Sequence, residues 1–136
     1  MAVHVNKLLN EILRDELESN DRNFGTSLPP DLADQIPFVH AVHSAGSLMD
    51  PEFADWASIV IDAYGASDTE AFNAAQSART LVVDAWKNQT QFPAGYISFF
   101  DKDNAVPPFP APAAAVPDGL FRYTAEYRLL LRTPLA

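Results

Sequence analysis

Between Gly119 and Arg132 the chain alternates strictly: Phe121, Tyr123, Ala125, Tyr127, Leu129 and Leu131 interleave with Arg122, Thr124, Glu126, Arg128, Leu130 and Arg132. A period of two is the signature of a strand whose faces see different surroundings. Here one face is aromatic and aliphatic and the other holds three of the nine basic residues. The pattern predicts a strand that seals a core on one side and presents an arginine row on the other. Val3 to Glu18 reads with the helical period instead, placing Val5, Leu8, Leu9, Ile12, Leu13 and Leu17 on one stripe. The Ser, Asn, Asp, Gly and Pro residues that follow predict a loop to about Ala33.

Two strands are predicted next, Gln35 to Ala45 with Pro37 near its start, and Asp55 to Gly65, joined as an antiparallel hairpin through the loop GSLMDPEFA. Ser67-Asp68-Thr69-Glu70 has the spacing of a capping box and opens a helix to about Asn88. Its stripe is Ala71, Phe72, Ala75, Ala78, Leu81, Val82, Ala85 and Trp86. Burial of the four large members would contribute roughly 6 to 12 kcal/mol of gross hydrophobic stabilisation. A third strand follows Pro93, and Gly119 to Arg132 is the fourth. Between them lie five prolines from Val106 to Pro117, which exclude a regular helix or a central strand and predict a long, partly stiff loop. The order α-β-β-α-β-β predicts an α+β domain, an antiparallel four-stranded sheet with the two main helices over one face.

A length of 136 residues fits a single domain, and 48% apolar with 20% charged residues is the composition of a globular chain. There is no cysteine, which removes disulfides, thiolate nucleophiles and cysteine-ligated zinc. The first twenty residues lack the apolar core of a signal peptide, and no apolar run is long enough to span a bilayer, so a protein made and kept inside a cell, without a membrane partner, is expected. A net charge of −9 argues against a nucleic-acid clamp. It also makes another copy of the chain the natural acidic partner for the arginine row.

Catalytic and metal chemistry finds no anchor in the sequence. His40 and His43 are an odd number of residues apart in one strand and point to opposite faces, so they do not chelate one metal, and His4 has no visible partner near the start of the chain. Asp101-Lys102-Asp103-Asn104 begins like a calcium loop but has Val106 and Pro112 where that motif needs glycine and glutamate, so it is expected to be a solvated turn. Glu52 and Asp55 flank Phe53 at the expected tip of the first hairpin, and no nucleophile motif or phosphate-binding glycine loop is present. No cofactor or metal is expected. The interaction candidates are Arg122, Tyr123, Arg128, Leu130 and Arg132 of the last strand, with Pro108, Phe109 and Pro110 of the proline-rich loop, because Tyr and Arg are enriched at interfaces.

The whole chain resembles the tail terminator proteins of long-tailed bacteriophages. The likeness rests on the N-terminal helix followed by QIPFVHAV, on the strand ending in DAYG before SDTEAF, and on the closing RYTAEYRLLLR strand after PDG. The insertion Ala105 to Pro117 departs from that pattern. The resemblance implies a small α+β domain, six copies of which form a ring on the end of the tail tube, stop its polymerisation and offer a head-joining surface. It thus implies a virion component assembled in the host cytoplasm, with partners in itself as a homo-hexamer, the tail tube protein and a head-to-tail connector or stopper, and with DNA only in passage. The last strand would then act as an edge strand meeting an acidic neighbour, and Asp101 and Asp103 would face the lumen. A head-to-tail connector of the neck is the alternative within the same class; a small ligand-binding or hydrolytic α+β domain is the alternative outside it.

Overall fold

In a computed structural model, which describes residues 3–19, 23–25, 30–34, 36–50, 54–112, 116 and 119–135, helix α1 (Val5–Ser19) precedes strands β1 (Asn23–Gly25), β2 (Phe38–Asp50) and β3 (Ala54–Gly65). Helix α2 (Asp68–Lys87), β4 (Tyr96–Phe100), β5 (Val106–Pro110) and β6 (Phe121–Arg132) complete the order, with short 3-10 turns at Leu32–Asp34 and Lys102–Asn104. The class is α+β, as the pattern predicts. The sheet is larger than expected, with six strands in the order β1-β2-β3-β6-β4 and β5 also on β6.

Two corrections follow from that order. Residues 23–25, expected in a loop, add a short parallel strand to β2. The proline-rich stretch supplies β5, paired antiparallel with β6 through Val106, Phe109 and Pro110, with an irregularity across Pro107 and Pro108. Prolines lack the N–H a central strand must donate, but an edge strand needs only some of its donors, and here Ala111 N donates to Arg122 O at 2.9 Å. Consequently β6 is an interior strand. It pairs with β3 along its full length on one side, and on the other with β4 near Leu129–Arg132 and β5 near Tyr123–Glu126.

The hairpin of β2 and β3 is antiparallel as expected, but β2 starts after Pro37 and continues to Asp50, leaving only residues 51–53 between the strands. Those three, including Glu52 and Phe53, lie outside the described residues.

The core lies between one face of the sheet and both helices. Val5, Leu8, Leu9, Ile12 and Leu13 of α1 and Ala74, Ala75, Ala78, Val82 and Ala85 of α2 pack on Val39, Ile59, Ile61, Ile97, Ala125, Tyr127, Leu129 and Leu131. Leu17 lies where side chains are not described. The α2 stripe is narrower than predicted: Val82 is fully buried, Leu81 and Trp86 are half-buried, and Phe72 is 38% exposed. Small alanines, not large side chains, bring α2 onto the sheet, so the predicted hydrophobic gain is an upper limit.

The capping box forms in a shifted version. Glu70 N donates to Ser67 Oγ at 3.1 Å, while the Glu70 carboxylate accepts from Ala66 N at 2.9 Å. At its other end α2 closes with Gln89 in the left-handed region, φ 48°, and with Thr90 N donating to Ala85 O at 3.1 Å. The Gln89 amide donates to Trp86 O at 2.7 Å and Ile97 O at 2.9 Å, which ties the end of the helix to β4. His4, without a partner in the sequence reading, accepts from Lys7 N through Nδ1 at 3.1 Å at the start of α1.

Candidate functional site

Since both helices lie on one side of the sheet, the other side is largely open among the described residues, with Leu32 of the turn Leu32–Asp34, Ile36 and Leu120 packing over part of it around Phe38 and Tyr64. Antiparallel register fixes which side chains stand together there. Leu130 of β6 pairs with Trp56 of β3 on one side and Phe99 of β4 on the other, so three apolar side chains form a row across three strands. Trp56 and Phe99 meet edge to face with centroids 6.0 Å apart, and Phe99 stays 46% exposed. In the next row Arg128 pairs with Ser58 and lays its guanidinium over the Trp56 ring at 4.7 Å. Arg132 lies one pair beyond Leu130 and is exposed.

Towards the opposite end of the same face the surface turns polar. Asp62 faces His40 of β2 and Thr124 of β6, with Arg122 one pair further along. His40 Nδ1 stands 3.8 Å from Asp62 Oδ2 and Arg122 Nε 3.7 Å from Asp62 Oδ1. Burial works to raise the Asp62 carboxyl, but the facing His40 and Thr124 side chains and the Arg122 charge outweigh it and hold the group below its ordinary value. Burial and the Asp62 anion together raise Tyr64 against the opposing Arg122 charge. This end is a partly shielded ion cluster, well suited to fixing the register of three strands. Between the two ends lies an open recess of about 270 Å³ bordered by Ser44, Ser58, Asn104, Glu126 and Arg128.

The structure sorts the predicted interface residues by face. Arg122, Arg128, Leu130 and Arg132 share the open side, and Phe109, paired with Thr124 and 42% exposed, extends it at the β5 edge. Pro108 falls within the β5 irregularity. Tyr123 lies opposite the arginines, as the alternation predicts: it faces the helix side, pairs with Pro110, donates to Asp68 Oδ1 at 2.9 Å and meets the edge of Phe72 at 5.4 Å. That bond to a carboxylate raises the Tyr123 hydroxyl. An arginine row on an edge strand is also corrected, because β6 has neighbours on both sides and offers a face instead of an edge.

Asp101 and Asp103 sit at the turn after β4, where Asn104 Nδ2 donates to Asp101 Oδ2 at 2.6 Å and Asp101 N donates to Arg128 O at 3.0 Å. The turn is solvated, as predicted, and Asp103 is exposed. His40 and His43 point to opposite faces of β2, paired with Asp62 and Ile59 respectively. Among the described residues no group of three or more His, Asp or Glu is arranged to hold a metal ion, and no helix is long and apolar enough to cross a membrane.

Trp56 and Phe99 are the site residues that sequence reasoning missed. Trp56 is visible in an alternating segment and Phe99 in a predicted strand, but only the β3-β6-β4 order sets them on either side of Leu130. Comparison of the chain with protein-family models and with curated proteins finds no match.

Proposed function

We propose that this chain is a structural component of a phage particle, a tail terminator that acts by adhesion and carries out no chemistry. In this reading copies of the chain assemble as a ring, six-membered in the family it resembles. The ring caps the tail tube, stops its growth and offers a surface for head joining. Arg128, Arg132, Leu130, Trp56 and Phe99 make the working contact, and Asp101 and Asp103 line the passage so that DNA is repelled and does not stick.

The observation that supports this best is the apolar row on the open sheet face. A half-exposed aromatic and aliphatic row framed by arginines is the composition of an interface, and it is the clustering of Trp56, Leu130 and Phe99, not the open face as such, that sets this surface apart from the ordinary wet side of an antiparallel sheet. Charge adds direction. On the open side of β3 and β6, Arg122, Arg128 and Arg132 stand with Asp62 and Glu126, a local surplus of one positive charge in a chain of net charge −9.

Electron microscopy of particles made without this chain tests the proposal. Overlong tubes lacking heads are expected. Tubes of normal length that fail to join heads would assign the chain to the neck connector, and intact particles would dismiss a structural role.

A further inference from the structure

Strand β6 separates two patches of opposite character. On the open side, Trp56, Leu130 and Phe99 are accompanied by Arg128 and Arg132. On the helix side, where α2 begins, Phe72 and Phe121 are 38% and 45% exposed, Tyr123 stands edge-on to Phe72, and Asp68 accepts the Tyr123 hydroxyl. Asp68 and Glu70 make this end of α2 acidic. Both patches expose aromatic area, but one is basic and the other acidic.

Because the two patches lie on opposite sides of the sheet, a two-fold contact through either one would set it against itself, arginine on arginine or carboxylate on carboxylate, at a cost in like-charge repulsion. Contact between unlike patches joins opposite charges and covers the aromatic rings of both. We propose that the open sheet face of one copy receives the acidic aromatic patch at the start of α2 of the next copy. The contact is heterologous: each copy gives one patch and accepts the other, so the contact repeats. Closure of the repeat into a ring rests on the function proposed above; the pairwise contact does not.

Sedimentation of the full chain tests the contact through complementation. Arg128→Glu with Arg132→Glu blocks the open face, and Asp68→Ser with Phe72→Ser removes the charge and the ring of the α2 patch without creating a complement to the new carboxylates, all at exposed or half-exposed positions. Wild type is expected to associate with concentration. Each blocked variant is expected to associate about thirtyfold or more weakly, the loss typical of an interface centre. An equal mixture of the two is expected to form dimers and stop, because each dimer retains one intact pair of patches and no free complement. Circular dichroism checks the fold, and if a double variant fails that check, Arg132→Glu and Phe72→Ser make the same comparison. Wild type that stays monomeric at about 1 mM, a blocked variant that associates like wild type, or a mixture that fails to dimerise would overturn the contact. Tube length in the microscopy above reads the terminator role separately: dimerising mixtures with normal tubes would sink that role and leave the contact standing.

Discussion

Tyr127→Phe should stabilise the protein. Tyr127 is 2% exposed, its ring lies 5.5 Å from Phe100, and its hydroxyl has no hydrogen-bond partner among the described residues. The Arg79 side chain approaches that hydroxyl closely enough to lower it both by its charge and as a weak donor, but no bond of good geometry forms, and Arg79 Nε is itself buried without a hydrogen bond. A buried hydroxyl left unpaired costs about 1 to 3 kcal/mol by mutational measures. Phenylalanine keeps the ring contacts and removes that cost, while the missing oxygen leaves a small void that offsets part of the gain. A net gain of about 1 kcal/mol is expected at pH 7.

The alkaline limb gives a second reading of the same residue. Burial pushes the Tyr127 hydroxyl up to about 12, from an ordinary value of 10.0, against the Arg79 charge. A folded-state value above the unfolded one favours the folded protein fully only below the unfolded value, and the advantage disappears as pH rises through the folded value. Wild type should therefore lose up to about 2 to 3 kcal/mol from this group between pH 10 and 12, and the variant none of it. Urea unfolding followed by circular dichroism at pH 7 and across the alkaline range measures both effects. A variant less stable than wild type by more than about 1 kcal/mol at pH 7 would refute the reasoning, because the hydroxyl would then have to be hydrogen-bonded.

Gly95→Ala should destabilise by about 2 kcal/mol or more, since Gly95 has φ 148° and an added Cβ would collide with Arg132 O; an unchanged urea midpoint would contradict it. Ser67→Ala removes the acceptor of the Glu70 N–H and should cost about 1 kcal/mol, read by thermal unfolding. Asp62→Asn should cost about 1 to 2 kcal/mol at neutral pH and flatten the acid limb. With the Asp62 carboxyl lowered in the folded state, its contribution is present above the unfolded value and lost as pH falls through the lower folded one. Parallel acid titrations of the two proteins would show that the cluster contributes nothing.

Local pattern carried most of the fold. The alternation of β6 placed Ala125, Tyr127, Leu129 and Leu131 in the core, and Ser67 and Glu70 marked the start of α2, because such signals act within a few residues. Sheet order was not legible. Nothing near Val106 or Tyr96 says that both strands share β6, and without that order Leu130 cannot be placed between Trp56 and Phe99. For the same reason Asp62, His40 and Arg122 meet only through the register of three strands. Parity puts Tyr123 on the aromatic face opposite the arginines, and the structure has it there, half-exposed against Phe72 at the start of α2. The proline rule excluded a central strand correctly but did not exclude an edge.

Trp56 provides the most direct measurement of whether the open face is the working surface. Trp86, the second tryptophan, is stacked on Phe100 on the helix side, so Trp86→Phe leaves one fluorophore, in the middle of the proposed contact. Acrylamide quenching of that variant, compared between dilute protein and protein assembled at high concentration or on tail tubes, reads the exposure of Trp56. The account predicts a blue-shifted emission and strong protection from quenching on assembly. Equal quenching in the two states would contradict it.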